Sequence, residues 1–142
     1  MKQPITIVSI ALAIAAAAVT APAIANADSG DARQTFVGLW EAVDPSDGSL
    51  TQRSISCDQA GVCAVLGSDS FWVVCGSPRG ILRGEGSVVD GVLSVPGFTL
   101  SCTDGPTLTV ATTFVPDRRN RTLIEQHANP NIGPIVFHRV TR

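Results

Sequence analysis

The chain has 142 residues, 44% of them hydrophobic and 15% charged, with a net charge of −2, four cysteines and no tyrosine. That length excludes a large multidomain enzyme, and the slightly acidic balance excludes nucleic acid as a partner, because a phosphate backbone demands a basic excess. The composition is uneven: all 13 glycines and all 4 cysteines follow residue 27, whereas the single lysine, Lys2, precedes it.

Residues 1–27 begin with Lys2, run through an apolar stretch from Ile5 to Val19 and end in small residues after Pro22. This is the three-part plan of a secretory signal peptide. Ala25-Asn26-Ala27 supplies the small side chains a signal peptidase requires, so cleavage is expected after Ala27. The product is secreted or periplasmic and keeps no stable membrane anchor. Residues 28–34 read as a loose lead-in, and residues 35–142 as one domain.

Downstream of the leader, valine and threonine dominate, glycine and proline are frequent, and no stretch repeats apolar residues at helical spacing. Such a composition is all-β. Strands are expected over residues 35–43, 49–57, 62–66, 71–75, 81–89, 92–102, 107–115, 121–127 and 135–141. Pro45-Ser46-Asp47-Gly48, Asp90-Gly91, Thr103-Asp104-Gly105-Pro106 and Asn129-Pro130-Asn131 punctuate them. Asp90-Gly91 is the sharpest turn signal, since a two-residue hairpin turn needs positive φ. Pro96-Gly97 interrupts the longest strand and predicts a bend or bulge. Short connections imply an antiparallel up-and-down meander of about eight or nine strands that closes into a barrel.

The four cysteines of an exported domain read as two disulfides. With Cys57 opposite Cys63 in a hairpin, Gln59-Ala60-Gly61 forms a three-residue loop whose last position favours a left-handed glycine. Cys75 and Cys102 then pair by elimination. The Cys57–Cys63 spacing and the exported context argue against a zinc site, and His138 has no partner at metal-ligand spacing. No metal or other cofactor is expected.

The first strand contains Gly38-Leu39-Trp40, and a Gly-x-Trp on the first strand of an antiparallel meander resembles the calycins, the lipocalin and avidin group. The resemblance implies that Trp40 closes one end of the barrel and that a basic residue of the last strand lies across its ring. Alternation in the last strand puts Ile135, Phe137 and Arg139 on one face, which makes Arg139 that residue. Val37-Gly38-Leu39-Trp40-Glu41, with Asp47-Gly48-Ser49 and Ser54-Ile55-Ser56, is also similar to a set of small exported bacterial proteins, a likeness that implies no activity. Biotin binding does not carry over, since it uses several aromatics and only Trp40 and Trp72 are present as tryptophans.

Phe71-Trp72-Val73-Val74-Cys75 is apolar on both faces, unlike a half-exposed barrel strand. Phe71, Trp72 and Val74 are therefore the candidate ligand-binding residues, while Gly38, Trp40 and Arg139 are assigned to barrel closure. Arg118-Arg119-Asn120-Arg121 reads as a solvated hairpin tip. Glu125 and His127 share a strand face, read as exposed and polar, and no nucleophile accompanies them in any motif. No catalytic residue is assigned. These features point to a non-catalytic binding module that holds a small apolar or amphipathic molecule in the barrel. The alternative is an exported protease inhibitor or other protein-partner-binding domain, since lipocalin-like periplasmic inhibitors combine Gly-x-Trp, a disulfide and a signal peptide.

Overall fold

Each connection between successive strands is too short for a crossover, so each strand can only turn back beside the one before it. The computed structural model describes residues 29–141, and the expected signal peptide lies outside them. A short helix α1 (Ser29–Gln34) occupies the segment expected to be a loose lead-in. It precedes eight strands: β1 (Gly38–Val43), β2 (Leu50–Cys57), β3 (Val62–Asp69), β4 (Gly80–Val89), β5 (Val92–Cys102), β6 (Thr107–Asp117), β7 (Thr122–His127) and β8 (Ile135–Arg139). Neighbours pair antiparallel in sequence order, and β8 returns to β1 through Trp40↔Arg139 and Glu41↔His138. The protein is thus a single closed up-and-down barrel of all-β class.

This topology separates two ends. The base carries α1 and the β2–β3, β4–β5 and β6–β7 turns; the mouth carries the other four connections. At the base, Asp90 (φ 51°) and Gly91 (φ 76°) make the two-residue turn with positive φ at both positions. Nearby, Asp58 N–H donates to Val62 O and Gly61 sits at φ 90°, which sets Cys57 directly opposite Cys63. Disulfides join Cys57 to Cys63 and Cys75 to Cys102. The first staples a base hairpin, and the second ties the β3–β4 connection to the upper end of β5.

One expected strand is absent. Phe71–Cys75 belongs to the β3–β4 connection, where Val73–Cys75 forms one turn of 3-10 helix that stops at left-handed Gly76. Its β propensity is overridden because β3 and β4 already pair with each other from Val62↔Ser87 to Gly67↔Leu82, leaving no edge for a strand between them.

Aromatic and aliphatic side chains occupy the interior. Phe36, Phe98, Phe114 and Phe137 are fully buried with Leu93, Leu123, Val65 and Val95, and Phe98 meets Phe114 edge to face at 5.8 Å. The irregularity signalled by Pro96-Gly97 is a register shift between Val95 and Phe98, and β4 shifts beside it between Arg83 and Ser87. Glycines make this corner possible. A Cβ on Gly86 would lie 2.0 Å from the Ser94 carbonyl oxygen, and one on Gly84 would lie 2.6 Å from a Val95 methyl. We therefore expect Gly86→Ala to lower unfolding free energy by about 2–4 kcal/mol in urea titrations, since backbone must move to admit it. Gly97→Ala, where a Cβ meets nothing within 4 Å, should stay within about 0.5 kcal/mol of the parent.

Candidate functional site

Alternation along β2 places Thr51, Arg53 and Ile55 inside the barrel, and alternation along β7 does the same for Leu123 and Glu125. Two charged residues therefore meet in the core. Arg53 Nε donates to Glu125 Oε2 at 2.7 Å, and its second terminal nitrogen donates to Oε1 at 3.0 Å. The remaining terminal nitrogen donates to Thr51 Oγ1 at 2.7 Å and to the Gln52 carbonyl at 2.9 Å. Arg53 is 3% exposed and Glu125 0%. The guanidinium also lies 5.7 Å from the Phe98 ring centre and 5.1 Å from that of Phe137, within cation–π range.

His127 completes the cluster. Its Nε2 lies 3.1 Å from Glu125 Oε1, and its Nδ1 lies 3.1 Å from Thr112 Oγ1. A carboxylate only accepts, so Nε2 carries the proton toward Glu125. Burial pushes the Glu125 carboxyl up, but the Arg53 charge and the hydrogen bonds from His127 and Arg53 outweigh it and hold the group below its usual range. Glu125 and His127 therefore form part of the core, which corrects their reading as an exposed polar face. The usable signal was period two. Leu123 must be buried, and residues two and four further on share its side.

The chain Thr112–His127–Glu125 has the connectivity of a hydroxyl, base and orienting acid. Its hydroxyl is shut in, however: Thr112 is 1% exposed and does not line the mouth pocket.

The cluster forms the floor of a mouth pocket of about 150 Å³. Arg53, Glu125 and His127 lie below, and Phe71, Trp72 and Val74 line its rim beside Val73 and Ile132. Phe71, Val73, Val74 and Ile132 are exposed, whereas Trp72 is buried. Trp72 folds in against β4 because Gly80 leaves room; a Cβ there would lie 2.7 Å from indole Cδ1 and 3.2 Å from a Leu100 methyl. Its indole N–H is buried without a hydrogen-bond partner among the described residues. Asp69, also on the rim, has its carboxyl raised chiefly by burial, against opposing hydrogen bonds from Ser49 and Phe71.

The other end is closed by Trp40. Its Nε1 donates to the Phe36 carbonyl at 2.7 Å, and the Arg139 guanidinium lies 4.5 Å from its ring centre. Arg139 donates in turn to the carbonyls of Val37 at 2.8 Å and Thr35 at 2.7 Å. Gly38 has φ 140°, and a Cβ there would lie 3.3 Å from an Arg139 terminal nitrogen. The spacing of Gly38 and Trp40 thus has a local cause: the glycine adopts a backbone conformation other residues avoid and leaves room for the arginine over the ring.

All four cysteines are in disulfides, and among the described residues no group of three or more His, Cys, Asp or Glu is placed to hold a metal ion. The chain matches no protein-family model, no curated protein and no solved structure.

Because the Glu125 pKa lies below its ordinary 4.5 in the folded protein, the folded state binds fewer protons than the unfolded chain just below that value. Its contribution is complete above about pH 4.5 and is lost as pH falls through the depressed pKa. Glu125→Gln removes this contribution. Thermal unfolding followed from pH 7 to pH 3 should show a steeper acid fall in the parent than in the variant. The variant should be less stable at pH 7 by about 3–5 kcal/mol because Arg53 stays charged and unpaired. Parallel pH profiles for the two proteins would contradict this role.

Proposed function

We propose that this chain is an exported, non-catalytic binding module of calycin-like architecture that engages its partner at the mouth of the barrel. The observation that carries this reading is a side-chain-filled interior beneath an exposed apolar rim. Small-molecule sites usually enclose roughly 300–1,000 Å³. The mouth pocket, at about 150 Å³, is small for a lipid-sized molecule, which supports a contact across the top rather than a ligand inside the barrel. Phe71, Val73, Val74 and Ile132 supply apolar surface there, and the Cys75–Cys102 disulfide holds it in place. A preordered apolar loop loses little entropy on binding. An apolar segment of a protein partner fits this surface best, which favours the partner-binding alternative over a calyx.

The Gly38–Trp40–Arg139 closure supports the calycin likeness, and two disulfides in so small a domain support a secreted or periplasmic setting. The sealed Thr112 hydroxyl supports a non-catalytic role.

Affinity capture from the host's own exported fraction tests the reading, with bound species identified by mass spectrometry. Phe71→Ser combined with Val74→Ser alters exposed side chains only, so Tm should move by no more than about 2–4 °C. The parent should retain a specific protein that the double variant loses. Equal capture of that protein by the two would overturn the mouth as the binding surface.

A further inference from the structure

We propose that the base of the barrel carries a separate site for the phosphate or sulfate monoester of a small organic molecule. A cleft of about 520 Å³ lies between the β6–β7 turn and the β8 end of the barrel, lined in part by Arg118, Arg121, Arg139, His138, Trp40 and Pro116. On a chain with more acidic than basic residues, three arginines converge on one cleft. None of the three makes an ion pair among the described residues. Arg139 is held by two backbone carbonyls and the Trp40 ring, so its charge is fixed in position without being neutralised.

Among the described residues, the one carboxylate on the cleft wall is Asp117, whose oxygens are occupied within the β6–β7 turn. Its Oδ1 accepts the backbone N–H groups of Arg119 and Asn120, and its Oδ2 accepts the Asn120 side-chain amide at 2.7 Å. These bonds, those of Asn120 foremost, hold the Asp117 carboxyl below its usual range. They also order the turn, so the arginines are presented on a fixed scaffold. Arg121 itself adopts φ 55°, a left-handed conformation that glycine or asparagine fills at lower cost. Backbone strain of this kind clusters at ligand contacts, and Arg121 lines the cleft.

Guanidinium forks match tetrahedral oxyanions in geometry and charge. The cleft is larger than a single oxyanion needs, and Pro116 and the edge of Trp40 add apolar wall, so the ligand carries an organic body. This site is independent of the mouth and does not rest on the function proposed there.

Calorimetric titration of the folded protein at constant ionic strength, with phenyl phosphate, phenyl sulfate and inorganic phosphate as probes, tests the assignment. At least one ester should bind about tenfold more tightly than inorganic phosphate, and Arg121→Gly should raise its Kd about tenfold. The same substitution relieves the left-handed strain, so Tm should hold or rise. Weaker binding in a protein of undiminished stability separates loss of a contact from loss of fold. Arg119→Ala, off the cleft, should bind like the parent. Absence of binding by both esters, equal affinity for ester and inorganic ion, or an unchanged Kd in Arg121→Gly would each overturn the site.

Discussion

The Arg53–Glu125 ion pair is the constraint around which the rest of this barrel is arranged. An eight-stranded barrel has an interior just wide enough to be filled by side chains, and here two of the filling residues are charged. Isolated, either would be prohibitively costly to bury; paired through two hydrogen bonds, with two further donors satisfied by Thr51 and Gln52, they are tolerated. The pair joins β2 to β7 across the interior. A one-residue slip of either strand would turn its charge outward and leave the other unpaired, so the ion pair selects register as well as occupying space.

The chemistry of both ends follows from that solid centre. Phe98 and Phe137 pack against the guanidinium, and Phe114 packs against Phe98, so the centre of the barrel is occupied by side chains. The two rims differ in character. Trp40 closes the base under Arg139, in a framework of backbone hydrogen bonds that leaves cationic side chains facing solvent. Trp72 closes the mouth beneath an apolar loop tied down by a disulfide, with its indole N–H unpaired among the described residues. The base is rich in arginine and the mouth in exposed apolar side chains.

Much of this was legible in the amino-acid order because it rests on local rules. The Asp90-Gly91 turn, the Cys57–Cys63 hairpin with Gly61 in its loop and the bend at Pro96-Gly97 each depend on the φ preferences of one or two residues. Pairing of Cys75 with Cys102 then followed from counting. The β3–β4 connection was not legible in this way. Phe71–Cys75 has the composition of a strand, and only the direct pairing of β3 with β4, a non-local fact, excludes it. The ion pair was half legible. Period two brought Glu125 and His127 to one face, and buried Leu123 identifies that face as the inner one, but that Arg53 waits opposite depends on closure of the barrel.

A double-mutant cycle at Arg53 and Glu125 tests the central role of this pair most directly, using Arg53→Met, Glu125→Leu and the combination, with unfolding free energies measured at pH 7. Each single change strands a buried charge and should cost about 3–5 kcal/mol, whereas the double change leaves an apolar pair and should lie closer to the parent than either single variant. The coupling energy should therefore reach about 3 kcal/mol. Additive single effects, with coupling below about 0.5 kcal/mol, would contradict the account.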